Sequence, residues 1–404
     1  MKNLYLLLIA FLFLVACRNN VENATNAVEI PELLDRSEKL QYFNEWSETR
    51  NRYADLKHKL NKDPQSIDAL IQIANVFIAE ARITGEHGHY YNAALTTITR
   101  ALNQQKISKD QIFLALSAKA SVELSLHSFK TGLETATQAM QLNPYNAQIY
   151  GVLVDAYVEL GEYAKAVETA DKMVSLRPDL RSYSRVSYLR EIYGMPGEAI
   201  AAMKMAVEAG SPGSEEKSWA ALQLAELCLR YDMVKEAESI LNQLLTERPD
   251  YPFAKAALAD VYIAQSKNAE AEKELKEACA IIPEVGFYVQ LAELYKNTGR
   301  ENEMKTTMKE VLNMLEDDMK HGHNMSLEYA QIYLDFFNDA DGALKYLQQD
   351  REMRPENIDI NRMLAKIYII KKDKANAEAF LLKAAKTNSK HPELKELEKE
   401  IQQI

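Results

Sequence analysis

"FAKAALADVYIAQSKNAEAEKELKEACAIIP", residues 253–283, decides the fold. Leu258 and Ala259 stand together, Tyr262 follows one turn later, and Ala271, Leu275 and Ala278 repeat that spacing further on. Apolar residues three and four apart share one face of a helix, so the stretch reads as two amphipathic helices. Small side chains let the two approach closely, and larger ones fill the gaps between them. Pro283 closes the second helix, because proline lacks the amide hydrogen that a helix interior needs. The same punctuation recurs along the chain: Pro144, Pro178, Pro212, Pro249 and Pro283 lie 34, 34, 37 and 34 residues apart, and Pro355 and Pro392 continue the series after one missing member.

This pattern resembles the tetratricopeptide repeat, a helical hairpin of about 34 residues with small or aromatic residues at fixed places and a closing proline. It fits from Ala147, Leu180, Ser218, Val285, Asn324 and Ile358, and two weaker copies begin at Ile67 and Phe113. Val154 and Met304 stand where the pattern has small residues. The resemblance implies an all-α fold, an α-solenoid of about nine hairpins over residues 67–391, wound as a right-handed superhelix around a long concave groove. Nine such repeats would make about one full turn. Residues 31–66 read as an N-terminal helical segment packing on the first repeat, and residues 392–404 as a polar capping helix for the last apolar face.

Composition agrees with this. A chain of 404 residues exceeds one ordinary globular core, and its 13 glycines and 11 prolines are few for strands joined by tight turns. The net charge of −11 repels a phosphate backbone, so nucleic acid is not expected as a partner.

The first residues, "MKNLYLLLIAFLFLVAC", carry Lys2, an apolar run from Leu4 to Val15, and Ala16 before Cys17. The run is too short to span a bilayer. It resembles a bacterial lipoprotein signal peptide in which Leu14 to Cys17 is the lipobox. That implies a signal segment at 1–16, lipidation of Cys17, and a flexible tether over 17–30. Acyl chains at one residue hold a chain to a membrane by about 0.8 kcal/mol per buried methylene. Arg18 is not the aspartate that retains such proteins at the inner membrane, so the resemblance implies a lipid-anchored protein of the bacterial envelope, at the outer membrane. Cys228 and Cys279 fall at apolar positions of separate predicted helices and read as buried small hydrophobes, not a bridge.

No Gly-rich phosphate loop, HExxH, CxxC or GxSxG motif is present, and no enzyme or cofactor is expected. The best candidates for chemistry are two HGH triplets, His87/Gly88/His89 and His321/Gly322/His323. Imidazoles two residues apart can share a metal, with Glu86 as a carboxylate, but about six repeats separate the triplets and they are not expected to meet. Repeat register explains the first one: 20 residues run from Ala74 to Ala94 where the pattern has about 12, so some eight are inserted between the two helices. His87, His89, Tyr90 and Tyr91 on that insert are candidate partner contacts, since inserted loops of solenoids carry binding determinants. The second triplet lies at a similar junction.

The groove is the other place for function. The resemblance places Asp155, Tyr188, Glu226, Asp260 and Glu293 at one inward-facing position of five successive repeats. Four acids there favour a basic or neutral partner segment. The expected function is therefore a non-enzymatic, lipid-anchored scaffold that binds a protein or peptide of the envelope. An alternative is a nutrient- or glycan-binding outer-membrane lipoprotein similar to the repeat-containing partners of transporters.

Overall fold

The computed structural model describes residues 30–404, so the signal segment, Cys17 and most of the tether lie outside the described residues. Residues 35–404 form one unit of helices, and no strand occurs among the described residues. After a single 3-10 turn at Glu38–Leu40 comes α1 (Glu45–Lys62). Nine hairpins follow: α2 (Ile67–Thr84) with α3 (His87–Leu102), α4 (Lys109–Ser125) with α5 (Phe129–Leu142), and α6 (Ala147–Glu159) with α7 (Tyr163–Leu176). Then come α8 (Leu180–Ile192) with α9 (Pro196–Ala209), α10 (Glu215–Arg230) with α11 (Val234–Glu247), and α12 (Pro252–Ala264) with α13 (Asn268–Ile281). The last three pair α14 (Val285–Asn297) with α15 (Glu301–Lys320), α16 (Ser326–Asp335) with α17 (Ala340–Met353), and α18 (Ile358–Ile370) with α19 (Lys374–Ala384), before α20 (Pro392–Gln402) closes the chain.

The alanines that carried the repeat pattern explain how the hairpins close. Ala94, Ala136, Ala166, Ala199, Ala237, Ala271, Ala343 and Ala377 are all fully buried at equivalent places on second helices. A methyl group there allows near backbone contact, and Leu241, Leu275 and Leu347 fill the next layer. Every hairpin turns through one residue in the left-handed conformation: Gly85, Gly161, Gly194 and Gly299 in four, His127, Asp232, Ser266, Asn338 and Lys372 in the others. First helices begin on side-chain caps where the sequence supplies them, as Ser108 accepts from Gln111 and Asp179 from Ser182 in capping boxes. Cys228 and Cys279 are free, the first buried.

At the ends, α1 packs on α2 through Tyr53 against Phe77, with ring centroids 5.8 Å apart. Arg36 joins Glu80 of α2 by two hydrogen bonds of 2.9 and 2.6 Å in a fully buried ion pair. At the other end Leu394, Leu397 and Ile401 of α20 cover the last hairpin.

First helices touch first helices of the next hairpin, α4 to α6, α6 to α8 and α10 to α12 among them, whereas second helices of neighbouring hairpins make no comparable contact. The first helices therefore line the inner, concave side. The superhelix closes faster than the family geometry implies. The Tyr42 hydroxyl donates to the Glu247 carbonyl over 205 residues, Asn357 Nδ2 donates to the Glu159 carbonyl over 198, and the Ile358 amide donates to the Tyr163 hydroxyl over 195. At about 34 residues per repeat, successive turns meet after roughly six repeats, not nine. Glycine makes the approach possible. A Cβ on Gly161 would lie 2.4 Å from the Glu356 carbonyl carbon, and one on Gly194 would lie 2.2 Å from the Asn388 oxygen.

Candidate functional site

The inner face was the first predicted site. Asp155, Tyr188, Glu226, Asp260 and Glu293 do stand on successive first helices, but they do not make one uniform acidic stripe. Asp155 accepts from Arg185 Nη2 at 2.5 Å and from the Tyr188 hydroxyl at 2.5 Å, so its charge is met inside the fold and Tyr188 is engaged. Burial and the adjoining Asp155 carboxylate raise the Tyr188 phenol well above its ordinary value.

From Glu226 onward the acids act on one another. Burial first, then Glu226 and Glu293, push Asp260 up to about 7, while it accepts a hydrogen bond from Gln290 Nε2 at 2.9 Å. Burial likewise raises Glu226, and burial with Asp335 raises Glu293. Among the described residues Glu226, Asp260 and Glu293 make no ion pair. Asp335, at the end of α16, continues the ladder but is paired with Lys366 at 2.8 Å. Neither Arg185 nor Asp335 was singled out from the sequence. Arg185 lies 30 residues beyond Asp155, close to one repeat, and that spacing was the available signal.

The second predicted site, the insert after Ala74, is not a loop. Only Gly85 and Glu86 separate α2 from α3, and the extra residues lengthen the helices: α2 has 18 residues where α6 has 13, and α3 has 16. Apolar and aromatic residues at helical spacing continue the core through the insert, which is why it folds as helix. Tyr90 is fully buried, its ring 5.9 Å from Phe77, and Tyr91 is buried beneath His87 at 5.3 Å. His89 lies edge-on to Tyr90 at 4.8 Å.

The two HGH triplets do meet, against expectation, because they sit on successive turns of the superhelix. The His87 and His323 rings are 6.0 Å apart, and a Cβ on Gly88 would lie 2.8 Å from the His321 ring. His127, at the turn of the second hairpin, joins them with its ring 4.5 Å from His323. Its Nδ1 is 2.8 Å from the Asn324 carbonyl, so Nδ1 carries a proton and donates. Burial, then His127, lowers His87 to about 4; burial, then His127 and His87, lowers His323 to about 3. Both therefore stand as neutral imidazoles at pH 7.

The class of protein follows from this geometry: a helical-repeat solenoid whose inner face offers a surface for another chain, of the kind used as a protein-interaction scaffold. Comparison with known proteins agrees. The family description "Tetratricopeptide repeat" matches residues 124–190, and a second description of the same name matches residues 285–317 and 359–391. The chain is similar to a tetratricopeptide repeat protein 4 homolog of Dictyostelium discoideum, 23% identical over 172 residues covering 38% of this chain and 42% of that protein. It is 28% identical over 94 residues to the small glutamine-rich tetratricopeptide repeat-containing protein 2 of Saccharomyces cerevisiae, covering 23% of this chain and 27% of that one. The chain thus spans less than half the length of these relatives. A crystal structure of a tetratricopeptide repeat protein from Parabacteroides merdae superposes with a TM-score of 0.43 at 17% identity, covering 64% of this chain and 99% of that one. Tetratricopeptide repeats are present in this chain, and its relatives are tetratricopeptide proteins.

Proposed function

We propose that the protein is a non-enzymatic adaptor, held by a lipid on Cys17 at the outer membrane of a bacterial envelope, that grips a basic segment of another envelope protein in its groove. The observation that supports this reading is the ladder Glu226, Asp260 and Glu293, three carboxyls that form no ion pair among the described residues, with Arg230, Lys296 and Lys366 acting on them only from a distance. Glu226 and Asp260 are partly buried and Glu293 is exposed, and carboxylates set near one another are costly to keep charged, a cost that an incoming lysine or arginine relieves. Preformed helical grooves capture extended or helical peptides without any catalytic group. Tyr90 and Tyr91 are buried, which supports the groove over those two insert residues as the binding surface.

The test uses the full chain and the variant Glu226→Lys/Asp260→Lys/Glu293→Lys against immobilised envelope extract at two salt concentrations. A partner retained by the native chain, released by salt and lost from the variant is the expected result; equal retention by both removes the groove. Cys17→Ala should abolish incorporation of a labelled fatty acid and move the protein from membrane to soluble fractions, and unchanged partitioning would remove the anchor.

A further inference from the structure

We propose that His87, Asp318 and His323 form a site for one divalent transition-metal ion, zinc by preference, that clasps successive turns of the superhelix together. One ligand atom from each of the three lies within 4.8 Å of the others. A tetrahedral zinc ion with bonds of about 2.0–2.1 Å needs its ligand atoms roughly 3.3 Å apart, so small side-chain rotations complete the site. Two imidazoles and a carboxylate are a donor set that suits zinc, and oxygen-seeking calcium or magnesium far less.

Three features outside the ligands point the same way. His323 has both ring nitrogens buried without a hydrogen-bond partner, which is rare for a buried polar group and which an ion would resolve at one of them. The turn that carries it is held in place, since the His323 amide donates to the Asp318 carbonyl at 3.0 Å and keeps these two ligands side by side. His127, its Nδ1 proton committed to the Asn324 carbonyl, stacks its ring edge-on 4.5 Å from His323 and walls that side of the site. Gly88 permits the meeting, because any side chain there would strike His321. The remaining members of the triplets lie outside the set: His89 packs on Tyr90, and His321 Nδ1 bonds the Asp317 carbonyl at 2.8 Å.

His87 opens α3 in the first hairpin, whereas Asp318 lies in the last turn of α15 in the seventh and His323 in the turn just beyond it. An ion held by all three would tie the pitch of the superhelix at the place where the lengthened helices meet.

The experiment titrates zinc chloride into the full chain, purified without a histidine tag and stripped with a chelator, by calorimetry at pH 7.5. One ion per chain is expected, weakened tenfold or more in His87→Ala and in His323→Ala and unchanged in His58→Ala on the exposed side of α1. Should an alanine variant fail to fold by circular dichroism, Asp318→Asn and the visible spectrum of the cobalt-loaded native chain decide instead. A tetrahedral cobalt band that Asp318→Asn diminishes supports the site. Native protein that binds no equivalent of zinc, or binds it as well without His323, overturns it.

Discussion

Replacing Gly161 by alanine should open the seam between superhelical turns, and replacing Gly299 should not. Both residues turn a hairpin with φ near +75°, at +77° and +74°, so both substitutions carry the same backbone strain of about 1–2 kcal/mol. They differ in what the new methyl meets. On Gly299 nothing lies within 4 Å, whereas on Gly161 the Glu356 carbonyl carbon and oxygen are 2.4 and 2.5 Å away and the Asn357 nitrogen 2.7 Å. These are backbone atoms, so residues 356–358 must retreat by about 1 Å to restore ordinary contact. That retreat stretches the Asn357 bond to Glu159 (2.9 Å), the Ile358 bond to Tyr163 (2.8 Å) and the Arg354–Glu159 pair (2.6 Å). Two neutral bonds at about 0.5–1.5 kcal/mol each and one charged bond at about 1.5–3 give roughly 2.5–6 kcal/mol beyond the strain. Hydrogen exchange read by mass spectrometry locates the loss. Gly161→Ala should deprotect residues 354–361, some 195 positions away, while Gly299→Ala affects only its own hairpin and neighbours. Unchanged protection at 354–361, or equal urea midpoints for the two variants, would refute the seam.

Two further outcomes are expected. Arg36→Ala leaves Glu80 buried without its cation, each side chain being 1% exposed, and should cost about 3–5 kcal/mol by urea denaturation; Arg36→Met with Glu80→Leu should recover much of it, and a loss equal to the single variant's would show that the pair is not the cause. Asp260 is raised from its ordinary 3.8 to about 7, so the folded chain binds more protons than the unfolded one between those values, and stability should fall as pH rises through that window. Asp260→Asn should flatten the fall in urea midpoints measured from pH 4 to 8, and a slope identical to the native chain's would show that Asp260 is ionised throughout.

Periodicity alone carried the fold. Ala271, Leu275 and Pro283, repeated about every 34 residues, demand hairpins that stack on their neighbours, because helix amphipathicity and proline punctuation are local properties that survive in a one-dimensional string. The same period puts Glu226, Asp260 and Glu293 on successive first helices, and the family resemblance implied that they face inward. What the string could not carry is contact between turns: no local pattern announces that Gly161 faces Glu356 or that Tyr42 reaches Glu247, since neither pair shares a helix face or a hairpin. The pitch decided those meetings, and pitch is the sum of small packing angles over six hairpins. It turned two histidine triplets read as separate junctions into one cluster with His127, while contact between adjacent hairpins gave Asp155 a partner in Arg185 that left the acidic ladder to begin at Glu226.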